Sequence, residues 1–140
     1  MIARIAYKDV PKELVANCMK VCFDGQVFDD DYFRFDFMFV ACTEDMKPEC
    51  FTLCQELNKD HVWLSYGGAV PEMRGAKTIM SFRAMIQELE KDYKRIGAQV
   101  ANDNFAMLKI YIANKFKISG VRVNHKGKTF VEFLKEVSHG

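Results

Sequence analysis

The chain has 140 residues, of which 49% are hydrophobic and 28% charged, and its 20 Lys and Arg residues nearly balance its 19 Asp and Glu residues. This composition predicts one globular domain over residues 1–140 and excludes a disordered tail and a strongly basic nucleic-acid-binding arm. The longest apolar runs, such as Phe37 to Cys42, are far shorter than the roughly 18 residues of a membrane span, and no signal-peptide pattern opens the chain. We therefore expect a cytoplasmic protein that binds neither nucleic acid nor a membrane.

The cysteine content points to reduced thiols. Five cysteines are present, an odd number that cannot form a closed set of disulfides. The pairs Cys18/Cys22 and Cys50/Cys54 have the i, i+4 spacing that could place two thiolates on one helix face. Neither pair is a C-x-x-C motif, and the histidines have no metal-ligand spacing to them. We therefore predict no metal site, with a zinc or redox role for the cysteines as the alternative.

The first part of the chain predicts a strand, a helix and a loop. The short apolar run 2–7 predicts a strand that ends before Pro11. Apolar residues at helical spacing predict a helix over 11–23, which Gly25 ends. The segment 28–36 mixes acidic and aromatic residues, fits neither period, and is interpreted as a loop or short helix.

Three strands are predicted in the middle of the chain. They cover residues 37–43, 49–57 and 61–70, where β-branched and aromatic residues dominate or apolar and polar residues alternate. In the third of these strands, Gly67 and Gly68 predict a β-bulge or the close approach of another backbone.

The second half of the chain begins with the strongest helix of the sequence. Apolar residues spaced by three or four predict this helix over 78–95, with Gly97 as its stop. A short strand over 98–101 and a capping cluster at 102–104 are predicted to precede a second helix over 105–114.

A terminal hairpin completes the predicted elements. Its strands cover 116–123 and 129–134 around a turn at 124–127. Antiparallel hairpins in the middle followed by a β-α-β unit predict an α/β protein, with a mixed sheet and helices on both faces.

The junction between the third middle strand and the strongest helix reads Ala69-Val-Pro-Glu-Met-Arg-Gly-Ala-Lys-Thr78. The unpaired N–H groups and the positive dipole end of a helix N-terminus form a site for a phosphate or pyrophosphate. Arg74 and Lys77 would add positive charge to that site. An ordinary strand-to-helix turn with solvated basic side chains is the alternative interpretation.

A wider pattern in this half of the chain resembles the GCN5-related N-acetyltransferase (GNAT) family. The run Val70-Pro-Glu-Met-Arg-Gly75 before a long helix is similar to the family's V-x-P-x-x-R-G strand end. Asn104, Tyr111 and Phe116 match the family's later N-x-x-A-x-x-L-Y-x-K-x-G-F segment in type and spacing. The resemblance covers about the last 80 residues by motif and about the first 60 by element order. It implies the GNAT fold, with a mixed, mostly antiparallel central sheet of six to seven strands.

The resemblance also implies acetyl-CoA as the acyl donor and assigns its contacts. Backbone groups near Ala69 and Val70 would hold the acyl group and the pantetheine arm, and Asn104 would contact that arm. The pyrophosphate would lie on the loop and first helical turn formed by Arg74, Gly75, Ala76, Lys77, Thr78 and Ile79. Where the family's loop has two glycines, this sequence has Lys77 and Ile79, which would crowd the phosphates unless Lys77 contacts them itself.

Acetyl transfer to an amine needs positioned reactants, donors for the carbonyl oxyanion and an acid for the departing thiolate. Tyr111 matches the family's tyrosine and would be that acid, because a phenol is neutral at pH 7 and can donate a proton. A core aromatic at helical spacing is the alternative role. No carboxylate lies between His61 and Val70, where many members carry a general base, so His61 is the only ordinary base on that strand.

An acidic segment falls where the family borders its acceptor pocket. It consists of Asp24, Asp29, Asp30, Asp31 and Asp36. A cationic acceptor such as a polyamine, an aminoglycoside or a lysine side chain would be complementary to this charge. A solvated acidic loop is the alternative.

Together these patterns predict an N-acetyltransferase that moves the acetyl group of acetyl-CoA to a small-molecule or protein amine, by direct attack in a ternary complex. The alternative is a catalytically degenerate GNAT-fold binding or structural module, of a kind that bacteriophages also encode. The terminal hairpin carries enough apolar residues to allow a homodimer, which unusual exposure of those residues would indicate. They are Val121, Val123, Phe130, Val131 and Phe133.

Overall fold

The computed structural model describes residues 2–23, 33–45, 47–70 and 75–137. Within these ranges the chain forms seven strands and three α-helices, with a 3₁₀ turn at Tyr7–Asp9. The strands are β1 (Ile2–Ala6), β2 (Phe37–Cys42), β3 (Pro48–Asn58), β4 (His61–Ala69), β5 (Arg95–Ala101), β6 (Lys117–Val123) and β7 (Thr129–Glu136). The helices are α1 (Lys12–Cys22), α2 (Ala76–Asp92) and α3 (Phe105–Ala113).

All seven strands form one mixed sheet in the order β1-β2-β3-β4-β5-β7-β6. Every neighbouring pair is antiparallel except β4 and β5, which are parallel and are joined by the α2 crossover. The predicted α/β class and the mixed, mostly antiparallel sheet are confirmed. None of the helices described is long and apolar enough to cross a membrane.

The helices cover both faces of the sheet, as predicted. On one face α1 buries Val15, Cys18 and Met19 in a cluster with residues of β2 and β3. On the other face α2 and α3 share a larger cluster with residues of β2 to β5 and β7. Side chains alternate between the two faces of a strand, so the continuous apolar run of β2 supplies Met38 to the first cluster and Phe37 to the second.

Helix α2 ends earlier than predicted, and Gly97 does not stop it. The helix gives way at Tyr93, whose backbone is extended (φ −127°, ψ 146°), and β5 already begins at Arg95. Gly97 lies inside β5, where a Cβ atom would sit 2.7 Å from Cε3 of Trp63 on the neighbouring strand. The glycine therefore serves the close packing of an indole ring, and its prediction as a helix stop was wrong.

The glycine pair of β4 allows a close approach, but the bulge lies beside it. Leu53 of β3 pairs with Tyr66 and Cys54 pairs with Leu64, so Ser65 is the extra residue. A Cβ atom on Gly68 would lie 2.9 Å from Cβ of Cys22, because α1 passes directly over this point. The predicted close approach is thus confirmed.

Other local predictions have mixed outcomes. The terminal hairpin is confirmed, and its turn is held by Asn124, whose Oδ1 accepts the backbone N–H groups of Lys126 and Lys128. The predicted stop at Gly25 and most of the segment 28–36 lie outside the described residues.

Replacing Gly68 by Ala tests the contact between α1 and β4. Since the added methyl group would meet a Cβ atom of α1 that cannot rotate away, we expect the free energy of unfolding to fall by about 1–3 kcal/mol. The matched control is Gly120→Ala in β6, where the nearest atom to the new Cβ is Oε2 of Glu132 at 3.6 Å. Urea denaturation measures both variants. Equal stability of the two would contradict the proposed contact.

Candidate active site

The parallel strands β4 and β5 pair over only part of their length. Their register runs from His61 opposite Arg95 to Leu64 opposite Ala98, and no further pair joins them. Beyond that point β5 stays paired to β7 as far as Ala101, while β4 continues along β3. A wedge-shaped opening therefore lies between β4 after Leu64 and β5 after Ala98; we call it the wedge.

The bulge in β4 coincides with the closed end of the wedge. Ser65, the extra residue, follows directly after Leu64, the last residue paired with β5. A bulge bends its strand and increases the local twist, which turns the edge of β4 away from β5. The Ser65 hydroxyl donates to the carbonyl of Leu53 at 3.3 Å and so ties the bulge to β3. The sequence analysis did not single out Ser65, and the sequence carries no signal for it.

The open end of the wedge leads into the N-terminus of α2. Val70 donates its backbone N–H to the carbonyl of Glu49 at 2.9 Å, which keeps the end of β4 against β3. Gly75 is the N-cap of α2 and has φ +144°, a conformation that side-chain-bearing residues rarely adopt. Within the described residues no side chain caps the helix, and no acidic residue occupies its first turn. Its backbone N–H groups and dipole could therefore hold an anion at the mouth of the wedge.

The predicted phosphate-site residues in the first turn of α2 differ in their exposure to solvent. Ala76 and Lys77 are exposed, whereas Thr78 is buried. Ile79 packs against the larger core cluster, so its side chain points away from the exposed surface of this turn. Of the two residues at the family's glycine positions, only Lys77 is therefore available to a phosphate. Arg74 lies outside the described residues.

Asn104 joins the end of β5 to α3. Its Oδ1 accepts the backbone N–H of Met107 at 3.3 Å, and its own N–H donates to the carbonyl of Ala101 at 2.9 Å. The predicted capping cluster is confirmed. Because the cap uses the carbonyl oxygen of the side chain, the amide NH₂ group is the part of Asn104 that could contact a ligand.

Tyr111 of α3 lies over the closed end of the wedge. Its ring stacks on Phe133 at a centroid distance of 5.4 Å. Phe133 pairs with Ala98, and Ala98 pairs with Leu64, which in turn pairs with Cys54. Burial raises the pKa of the Tyr111 hydroxyl, and the Cys54 thiol raises it further. The tyrosine therefore packs against the row of residues that contains the last β4–β5 pair.

An aromatic cluster holds Tyr111 in place. Phe116 approaches it edge-on with centroids 5.0 Å apart, and Phe82 of α2 does so at 6.4 Å. Only 2% of the Tyr111 surface is exposed. Since the pKa is raised, the phenol keeps its proton at neutral pH and can act as a hydrogen-bond donor.

His61 is not brought to the wedge. It begins β4 at the paired end, opposite Arg95, about 10 Å of strand before the closed end of the wedge at Leu64. Its Nε2 atom is buried and has no hydrogen-bond partner in the part of the chain that the structure describes. Burial and the nearby Arg95 lower the pKa of the His61 imidazole. His61 therefore lies too far from the wedge to act as a general base there.

Of the five aspartates in the acidic segment, one lies within the described residues. Asp24 and Asp29 to Asp31 lie outside the described residues. Asp36 precedes β2, and its carboxylate accepts the backbone N–H of Glu56 at 2.6 Å. This aspartate therefore links two strands beside the paired end of the sheet and does not border the mouth of the wedge. Among the residues described, no group of three or more His, Cys, Asp or Glu side chains could hold a metal ion.

Comparison with solved structures identifies the fold. The ribosomal-protein-S18-alanine N-acetyltransferase of Escherichia coli has a TM-score of 0.76 and 14% identity, covering 100% of this chain and 96% of its own. A Bacillus subtilis acetyltransferase in complex with CoA has a TM-score of 0.74 and 11% identity, covering 99% and 100%. A GNAT family acetyltransferase from Elizabethkingia anophelis with acetyl-CoA bound has a TM-score of 0.71 and 10% identity, covering 96% and 97%.

These similarities establish the GNAT fold for this chain and confirm the fold that the motif resemblance implied. The sequence itself matches no protein-family model and no curated protein. Similarity is therefore carried by the arrangement of the strands and helices.

Proposed function

We propose that this protein is an acetyl-CoA-dependent N-acetyltransferase. The observation that carries the proposal is the wedge, which opens at Leu64 and Ala98 and leads into the N-terminus of α2. An extended acyl donor with a pyrophosphate at one end fits such a channel, because a strand edge offers backbone hydrogen bonds and a helix N-terminus binds an anion. Two of the structural neighbours carry acetyl-CoA or CoA.

The donor would be held by three parts of the chain. The backbone of β4 would bind the pantetheine arm near Ala69 and Val70 and the acyl group deeper in the wedge, towards Leu64, and the amide of Asn104 would contact the arm from the β5 side. The pyrophosphate would lie against the first turn of α2, in the group Arg74, Gly75, Ala76, Lys77, Thr78 and Ile79. Within this group Lys77 supplies charge and Ile79 anchors the turn in the core, which leaves the backbone N–H groups as the main phosphate donors.

The reaction would be direct attack within a ternary complex. A neutral amine adds to the thioester carbonyl, the carbon–sulfur bond breaks, and the amine loses a proton while the thiolate gains one. Tyr111 would donate to the departing sulfur, since its hydroxyl is protonated and lies over the closed end of the wedge. The β4 residues 65–69 include no carboxylate or histidine, so the proton that the attacking nitrogen loses would pass to water.

A second candidate function follows from that missing base. A GNAT-fold module that binds a partner or ligand without catalysis would also lack a base and would tolerate Lys77 in the phosphate loop. Assays of acetyl-CoA hydrolysis and of acetyl transfer to amines distinguish the two candidate functions. A protein that binds acetyl-CoA and acetylates no amine in a panel of polyamines, aminoglycosides and N-terminal peptides would be the module.

Two further expectations belong to this proposal. All 140 residues would form one acyltransferase domain, which the single sheet from β1 to β7 supports. The protein would act in the cytoplasm, where its five free cysteines remain reduced.

Binding of acetyl-CoA is the first test. Ligand binding stabilises the folded state by RT ln(1 + [L]/Kd), about 2.7 kcal/mol at one hundred times Kd, so the melting temperature should rise by several degrees with acetyl-CoA concentration. We expect Lys77→Ala to weaken acetyl-CoA binding about threefold to tenfold and to leave pantetheine binding unchanged. Lys91→Ala, at the other end of α2, is the control. No thermal shift at millimolar acetyl-CoA would refute the proposed function.

The second test removes the Tyr111 hydroxyl. Tyr111→Phe keeps the ring packing, so we expect an unchanged fold and a kcat lower by about 10²-fold for any amine that proves to be a substrate. The matched control is Tyr93→Phe, because Tyr93 is also buried and donates to Glu56 at 2.5 Å but lies outside the wedge. That control should lose stability and keep kcat. Unchanged turnover in Tyr111→Phe would assign the tyrosine to the core alone.

We also propose that the acceptor is a small-molecule or protein amine, and that the protein forms a homodimer through β6. This strand is the edge of the sheet, and Ile118, Val121 and Val123 are 61%, 66% and 61% exposed. The other hairpin residues that would signal a dimer are less accessible, since Phe130 and Val131 are half-buried and Phe133 is buried. A second copy could pair along the free edge of β6 and cover its aliphatic side chains.

Sedimentation velocity tests this dimer. β6 carries Lys117 and Arg122 and no acidic residue, so two copies of β6 paired edge to edge would repel each other and added salt should strengthen association. Val121→Lys should give a monomer at every salt concentration. Met80→Lys, an equally exposed apolar site on α2, is the control. A wild-type protein that stays monomeric at high concentration and high salt would exclude the dimer.

A further inference from the structure

A second cavity lies at the edge of the sheet opposite the β6 side, well away from the wedge. It has a volume of about 160 Å³ and is enclosed by the 3₁₀ turn after β1, the start of α1 and the residues just before β2. Three strand spacings separate β1 from β4, which is about 14 Å across the sheet. We call this cavity the β1–α1 pocket. No part of the proposed acetyl transfer uses it.

The walls of the β1–α1 pocket are aromatic and aliphatic. Tyr7 and Phe35 meet edge-to-face with ring centroids 4.9 Å apart, and Phe33 adds a third ring. Val10 lines one side, and the buried Val15 of α1 forms part of the floor. Such walls favour a ligand with a flat apolar body, since ring pairs prefer offset or edge-to-face contacts.

The volume limits the ligand to one ring. An engineered apolar cavity of about 150 Å³ binds benzene, so a cavity of this size accommodates a single six-membered ring. This separates the β1–α1 pocket from the wedge, whose proposed ligand is extended.

Among the residues that the structure describes, the charged ones that line the β1–α1 pocket are two lysines, Lys8 and Lys12. Both are exposed, and within the described part of the chain neither ammonium group forms an ion pair. The neighbouring acids, Asp9 and Glu13, do not line the cavity. The described part of the rim therefore presents positive charge to a ligand whose ring is inside.

We propose that the β1–α1 pocket binds a small aromatic carboxylate, with its ring among Tyr7, Phe33 and Phe35 and its carboxylate facing Lys8 and Lys12. Apolar walls select the ring, the volume sets its size, and the two ammonium groups select the anion. The proposal does not depend on acetyltransferase activity, because the pocket and the wedge share no residue.

Titration with benzoate, followed by two-dimensional NMR of the whole protein, tests the proposal. Benzoate should shift the ring resonances of Tyr7 and Phe35, and its affinity should exceed that of benzamide, its neutral analogue, about threefold to tenfold. Acetate, which has the charge without the ring, should leave these resonances unchanged. Equal affinities for benzoate and benzamide, or no shift at tens of millimolar benzoate, would overturn the proposal.

Variants locate the site. The double variant Lys8→Gln/Lys12→Gln should lower benzoate affinity to that of benzamide and leave benzamide binding unchanged. Lys20→Gln/Lys47→Gln removes the same charge at exposed positions outside the pocket and is the control. Val10→Phe should fill the cavity and abolish binding of both probes, with an unchanged amide spectrum elsewhere as evidence of folding. Benzoate binding that survives Val10→Phe would place the ligand elsewhere and refute the assignment.

Discussion

Four residues of parallel pairing between β4 and β5 hold the two halves of the sheet together. They are the only parallel pairs in the described sheet, running from His61 and Arg95 to Leu64 and Ala98. If β4 and β5 paired along their whole length, the wedge would be closed. Without any pairing between them, β1–β4 and β5–β7 would be two separate sheets joined by α2. Beyond Ala98, the edge of β5 that faces β4 has no strand partner, while its other edge stays paired with β7 through Ala101. The opening therefore costs β5 no strand pairing on that side.

The closed end of the wedge is stabilised by packing across the sheet. A single row of paired residues crosses it, from Phe37 through Cys54, Leu64 and Ala98 to Phe133. All five belong to the cluster beneath α2 and α3, where burial of apolar surface contributes roughly 25 cal/mol per Å². Tyr111 lies over the same row, so one cluster both holds the wedge at its closed end and positions the hydroxyl proposed to donate a proton. Stability and chemistry thus depend on the same contacts.

Periodicity in the sequence predicts most of this fold, because local apolar patterns decide which segments form strands and helices. It fails where a residue's role depends on a distant neighbour. Gly97 looks like a helix stop until Trp63 is seen to pack against it. The bulge at Ser65 lies where β4 parts from β5 and continues along β3, and that point depends on the pairing of distant strands.

The candidate site shows the same division. The strand-to-helix junction after Ala69 and the cap at Asn104 could be predicted, since both are local. The sequence also allows the burial of Ile79 to be predicted. Ile79, Phe82 and Ile86 share the spacing that predicts α2 and its buried face. The exclusion of His61 from the wedge could not be read this way, because it depends on where β4 and β5 part.

Although the net charge is only +1, acidic and basic residues are unevenly distributed along the chain and therefore across the sheet. Residues 1–60 contain seven basic and twelve acidic residues, and residues 61–140 contain thirteen and seven. Strand order follows chain order from β1 to β5, so β1–β3 belong to the acidic part of the sequence and β5–β7 to the basic part, with the wedge near the boundary. A polyanionic donor and a cationic amine would therefore be attracted to the wedge by opposite sides of the molecule. Because screening limits these fields to about 10 Å at 0.1 M salt, the division would favour encounter of the two substrates more than their final affinity.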